Sequence, residues 1–284
     1  MVNAGRSISR RQFLTTAAIA PLTLRGTATP KIVPVGLEMY SVRDELARDL
    51  PGTLTAVAGM GYQVVEFYAP YFQWTNAQAK QIRKQMNDLG LACKSTHNGE
   101  ESFTADGLKR AVELNRILGS RYIVMAGSAP IASLAGWKAL CDRIDGLVAV
   151  LTPLDMSLGF HNHETEWAPI EGHRPMDVLA AHTPKDFMLQ FDVGSCMAAR
   201  QDPVAWIKAN PGRIRSIHCK DWARWPWGGY RVLFGDGDSP WASIFDAAES
   251  VGGVEFYLIE QEGSRYTPFE TARRCMTNWK RLKR

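Results

Sequence analysis

The sequence predicts a closed (β/α)8 TIM barrel, an α/β fold of eight parallel strands, each followed by a helix. Three observations carry that expectation. Eight short apolar runs recur along the chain, amphipathic stretches separate them, and acids and imidazoles collect at the C-terminal ends of the runs. Strands of a parallel sheet are covered on both faces and read as near-continuous apolar runs, whereas surface helices carry one apolar stripe. An open doubly wound sheet competes, but it does not need eight strands, and no glycine-rich fingerprint follows the first one. With 284 residues, 45% of them apolar, the chain can bury one large core. No linker, low-complexity tract or charge block divides it, so residues 31–284 read as a single catalytic domain.

Taken in order, the first strand lies in VPVGLEM with its centre at 34–39, and YQVVEFY (62–68) and LACKSTH (91–97) supply the next two. RYIVMAG (121–127), SLGFHNH (157–163) and FMLQFDV (187–193) follow, then IRSIHCKD (214–221) and FYLIEQE (256–262). Helical spacing fills the gaps: NAQAKQIRKQMNDLG stops at Gly90, GLKRAVELNRILG stops near Gly119, LAGWKALCDRIDGLVAVL precedes the fifth strand, and TPFETARRCMTNWKRL closes the chain.

The N-terminus stands apart. Residues 1–30 carry the paired Arg10 and Arg11, a moderately apolar run too short and too threonine-rich to span a membrane, and then RGTATP. This resembles a twin-arginine export signal, which carries folded proteins to the periplasm, with cleavage expected near Ala28. The formal charge of +4 comes from Arg6, Arg10, Arg11 and Arg25, so the remainder is formally neutral and nothing points to a nucleic-acid partner. Five cysteines, an odd number with no CxxC pair, read as small core residues, although export would permit one bridge.

The chemistry-bearing residues cluster at strand ends. In GFHNHETEW (159–167), His161 and His163 are two apart, which on a strand puts them on one face. Glu66 and His97 stand late in the second and third strands, Asp192 ends the sixth, His218 and Lys220 the seventh, and Glu260 and Glu262 the eighth. In a barrel those ends converge on one mouth. Asp192, His218 and Glu260 with one fifth-strand residue can supply four donors to zinc, manganese, iron or cobalt, with magnesium also allowed, and leave room for substrate oxygens. Lys220 can hold a hydroxyl or simply pair with Glu262 or Asp221. Trp167, Trp222 and Trp225 are candidates to stack on a sugar ring, and the aromatic, glycine-rich run from His218 to Trp241 can close the mouth or enter a neighbour's rim in a homo-oligomer.

The segments GLEMYSVRD, GYQVVEFY, LGFHNH, QFDVGS, RIRSIHCKDW and LIEQE together resemble the xylose-isomerase-like barrels grouped as sugar phosphate isomerases and epimerases, over roughly residues 33–280. The resemblance implies a divalent metal at His161, Asp192, His218 and Glu260. Epimerases of that group usually carry a glutamate where this chain has His161, and pair it with the eighth-strand glutamate as two bases on opposite faces of the substrate. A metal-bound imidazole does not readily act as that second base. The expected function is therefore a divalent-metal-dependent sugar or keto-sugar isomerase/epimerase working through an enediolate, with Glu260, His163, His97 and Glu66 as candidate bases and Lys220 as charge partner. The alternatives are a 3-keto-glycoside lyase or hydratase acting by β-elimination, and a non-catalytic periplasmic sugar-binding barrel. No compact basic cluster or glycine nest marks a phosphate subsite in the mouth.

Overall fold

The computed structural model describes residues 1–2, 32–224 and 228–283. Apart from Met1 and Val2, the expected export signal lies outside the described residues. Eight strands run β1 Val35–Glu38, β2 Val64–Phe67, β3 Ala92–Asn98, β4 Tyr122–Met125, β5 Ser157–His161, β6 Met188–Asp192, β7 Ser216–Cys219 and β8 Phe256–Ile259. All neighbours pair in parallel, and β1 pairs β8 through Gly36 and Leu258, closing the barrel. The crossover helices are Leu50–Met60, Asn76–Asp88, Ala105–Leu118, Leu134–Leu151, Pro175–His182, Pro203–Ala209 and Trp241–Ala247, with Pro268–Leu282 after β8. The (β/α)8 expectation holds.

Local chemistry sets the helix ends. The side chains of Thr75, Thr104 and Ser133 accept backbone N–H bonds at helix starts, and the expected stops Gly90 and Gly119 adopt left-handed φ of 70° and 77°. All five cysteines are buried and free. Among the described residues no helix is long and apolar enough to cross a membrane.

Inside the barrel, side chains stack in layers, because inward positions recur every second residue and alternate strands feed alternate layers. Val64, Tyr122, Met188 and Phe256, all from even-numbered strands, form an apolar floor with Val124 and Leu258. These large residues crowd the odd strands. A Cβ on Gly36 would stand 2.5 Å from the Val64 carbonyl oxygen, and one on Gly159 would stand 2.8 Å from the Met188 methyl. Two residues beyond Gly36, Ser95, Gly159 and Ser216, the same period delivers Glu38, His97, His161 and His218. From the even strands it delivers Glu66 and Gln190, then Asp192 and Glu260. The apolar floor thus gives way to a largely polar ceiling at the C-terminal mouth, Ala126, just past β4, being its apolar member.

Apart from β3, the hydrogen-bonded strands are shorter than the apolar runs suggested, since backbone pairing ends where the strand turns into its mouth loop. His163, Lys220, Glu260 and Glu262 consequently lie just beyond their strands. His163 instead precedes a single 3-10 turn, Glu164–Trp167, and donates its backbone N–H to the Glu166 carboxylate at 2.6 Å. Its ring still lies 4.9 Å from that of His161.

Candidate metal centre

His161, Asp192, His218 and Glu260 are all buried, and each offers a ligand atom within 4.8 Å of the others. β6 aims Asp192, whose Oδ1 caps the helix Val193–Ala198 by accepting the Ser195 N–H at 2.6 Å. Asn162, just past β5, holds the same residue, accepting the Asp192 N–H at 3.0 Å. The remaining oxygen, Asp192 Oδ2, is buried and without a partner, and so is His161 Nδ1. Buried polar atoms are rarely left unpaired. Two such orphans on residues of one nitrogen–oxygen donor set fit a transition-metal ion.

The charge balance points the same way. Glu38, Glu66, Asp192 and Glu260 are buried together, with Lys220 the buried ammonium beside them. Burial raises Asp192, although Lys220 opposes it. Burial also lowers His161 well below the ordinary range, assisted by His218 and His97, which leaves a neutral imidazole suited to ligation. Burial would lower His218 too, but its hydrogen bonds to Glu260 and Glu66 outweigh that and lift it to about 10. A divalent cation among these residues would take the place of that imidazolium proton as the neutralising charge.

His218 is oriented from both sides. Its Nδ1 meets Glu260 at 2.6 Å and its Nε2 meets Glu66 at 2.8 Å. Glu66, expected to be a candidate base, lies one layer below the cavity with both oxygens engaged: Oε1 accepts from Gln190 at 2.9 Å, and Oε2 also meets His97 at 3.1 Å. Against burial, His97 and His218 hold its carboxyl down at about 2. A fully engaged carboxylate behind a ligand imidazole fixes the ring and tunes its basicity. Glu66 thus stands where it can position the His218 ring. Glu66→Gln is expected to weaken manganese affinity by about 10–100-fold, with the fold retained; metal titration monitored by calorimetry checks this, and unchanged affinity would remove the role.

His97 faces the cavity but is anchored by Gln190, whose Oε1 lies 2.6 Å from Nε2. Lys220 pairs with Glu262 and lies 3.5 Å from Glu260 Oε1, with the Tyr230 ring 5.1 Å from its ammonium. Of the two partners weighed for Lys220, Glu262 is the one it meets. Asp221 instead gathers the loop that follows it, its carboxylate accepting N–H bonds from Trp222, Gly235, Gly237, Ser239 and the Trp241 indole, at 2.8–3.3 Å. The glycine-rich run follows from this, since a Cβ on Gly237 would stand 2.4 Å from Asp221 Oδ1.

Reading the residues from sequence overlooked Glu38, Gln190 and Asn162. Glu38 is buried, lines the cavity and leaves Oε2 unpartnered; its signal was the acid at the end of the first run. Burial, then the charge of Glu66, raises its carboxyl well above the usual range. The tryptophan expectation needs correction. Trp167 is buried in the core against Trp206 and Phe191, with ring centroids at 5.0 and 6.1 Å, because the 3-10 turn folds it inward. Trp222 is half-buried and lines neither mouth cavity, and Trp225 lies outside the described residues. Tyrosines line the mouth instead: Tyr40 and Tyr68, packed edge-on at 5.2 Å, and Tyr230.

Residues 54–280 match the family described as xylose isomerase-like TIM barrel. The chain belongs to this family. No curated protein matches it in sequence. Among solved structures it is similar to a sugar phosphate isomerase/epimerase from Parabacteroides distasonis, at a TM-score of 0.74 and 22% identity over 89% of this chain and 94% of that one. It is also similar to a D-psicose 3-epimerase (0.64, 13%, 88% and 98%) and to a probable 3-DHS dehydratase from Bacillus anthracis (0.68, 13%, 87% and 98%). At these identities the likeness shows the fold.

This xylose isomerase-like barrel has two adjoining cavities at its mouth. The inner one, about 300 Å³, is bounded by Glu38, His97, His161 and Glu260 with the Tyr40 and Tyr68 wall. The outer one, about 560 Å³, is bounded by Glu164, Ser195, Lys220, Tyr230 and Arg231. His163 and Glu262 line both.

Proposed function

We propose that the protein is a divalent-metal-dependent sugar or keto-sugar isomerase/epimerase that removes a proton next to a carbonyl and passes through an enediolate. The buried quartet His161, Asp192, His218 and Glu260, with two unpartnered donors, carries this reading. A divalent ion held there would supply the positive charge against which the oxyanion of an enediolate builds. Burial acts to raise Glu260, but Lys220 foremost, then His218, hold it down as a carboxylate facing the inner cavity, where it can accept the proton. Lys220 adds a fixed positive charge beside that base, and His163 and His97 border the cavity where they can bind hydroxyls. Membership of the family supports the class of chemistry, and the epimerase among its structural neighbours supports the substrate type.

His161 favours a second reading, 3-keto-glycoside elimination. The base takes the proton next to the ketone, the C–H electrons become a carbon–carbon double bond, the β-carbon–oxygen bond breaks, and the departing oxygen leaves protonated. No second carboxylate is then needed to return a proton to the opposite face. Incubation in deuterated water with unmodified sugars and with 3-keto-glycosides separates the two readings. Solvent deuterium in an intact isomer supports isomerisation or epimerisation, aglycone release supports elimination, and turnover indifferent to chelator with no bound metal would refute both.

Lys220→Met is expected to lower turnover by about tenfold or more while metal content falls little, because the ammonium touches Glu260 but is not a donor to the ion. Elemental analysis beside steady-state rates measures the split, and full activity would reduce the lysine to an ion partner of Glu262. The paired Arg10 and Arg11 support export to the periplasm by the twin-arginine route. Periplasmic yield that survives replacement of both arginines by lysine would overturn that assignment.

A further inference from the structure

We propose that the outer cavity binds the second ring of an O-linked glycoside, so that the substrate is disaccharide-sized rather than a free monosaccharide. The proposal rests on the proton-transfer reading above only for which ring reacts. The inner cavity contains the reacting position, because the donors His161 and Glu260 open into it. At about 300 Å³ it lies at the lower bound of small-molecule pockets, roughly 300–1,000 Å³, which suits one pyranose ring. The outer cavity, about 560 Å³, presents none of the four metal donors and meets the reacting region only at its edge, through His163, Lys220 and Glu262.

Its walls nonetheless have the chemistry of a sugar site. Tyr230 is half-buried, and its hydroxyl donates to Glu164 at 3.1 Å, which fixes an aromatic face against which the C–H face of a ring can stack. Glu164 and the exposed Arg231 offer an acceptor and donors for the hydroxyls around that ring. His163 and Glu262, shared by both cavities, mark the place where a bond between the two rings crosses.

Gly263 provides the test. It lines the outer cavity, which none of the four metal donors lines, and a Cβ built on it meets nothing within 4 Å, so Gly263→Trp introduces bulk at that cavity's wall. The manganese-loaded protein is titrated calorimetrically with glucose and galactose, then with maltose, cellobiose and lactose. At least one disaccharide is expected to bind about tenfold more tightly than its parent hexose, and Gly263→Trp is expected to erase that advantage. Equal affinities in the wild type, no binding of any sugar, or an advantage that persists in Gly263→Trp would overturn the proposal. Solvent-deuterium exchange into the 3-keto forms of the same sugars reads the reaction separately. A disaccharide advantage without exchange would refute the proton-transfer reading and leave the cavity assignment standing.

Discussion

Asp192→Asn is expected to lower metal occupancy and activity together, by more than the roughly 10–100-fold that loss of an outer partner costs a metal site. The substitution is selective. Asparagine caps helices as well as aspartate does, so the Ser195 N–H keeps an acceptor and the helix Val193–Ala198 keeps its start. The losses are the negative charge and the donor strength at Oδ2, the oxygen left without a partner. Because Asp192 is fully buried, the solvent cannot replace that charge. His218→Ala should have the same double effect, with an added cost in stability as Glu260 and Glu66 lose their shared imidazole. Elemental analysis of the purified variants against the wild type, beside deuterium-exchange rates, measures both quantities. Undiminished occupancy in the two variants would remove both residues from the ligand set.

Asp221→Ala is expected to cost about 3–5 kcal/mol of stability, the largest folding effect among the mouth residues. One carboxylate satisfies four backbone N–H groups and the Trp241 indole, and it is wholly buried beneath the loop it gathers. Alanine leaves those donors without an acceptor and opens a void against Gly237. The loop also carries Tyr230 and Arg231 to the outer cavity, so sugar binding should fall with stability. A lowered urea midpoint with an unchanged slope, together with loss of amide protection after residue 221, is the expected result. A midpoint within experimental scatter of the wild type would show that the loop is held by other contacts.

Much of the fold and the site is legible in the sequence. The eight runs are readable because parallel strands covered on both faces keep few polar residues, and the helix stops are readable because glycine alone takes a left-handed φ at little cost. The four candidate donors stand out because polar side chains at the ends of apolar strands require a reason. His163 reads as part of the strand rather than as a residue just past it, since the end of backbone pairing depends on the neighbouring strand and leaves no local mark. The tryptophans read as mouth residues for a related reason: an aromatic residue in a polar segment looks the same in sequence whether its turn points inward or outward.

The sequence by itself determined the barrel, the order of its elements and the four candidate donors brought to its C-terminal end, but not Glu38, Gln190 or Asn162 beside them. The tertiary structure alone decided which layer each of them occupies. Glu66 and Glu260 both stand at strand ends, yet closure and stagger of the barrel put Glu66 beneath His218, locked by Gln190 and His97, and Glu260 on the cavity wall. Asp221 and Lys220 are neighbours in sequence, yet one gathers a loop and the other meets a carboxylate pair. Period two says which side of the sheet a residue faces, but its height above the floor and the partner opposite follow from strands far apart in the chain.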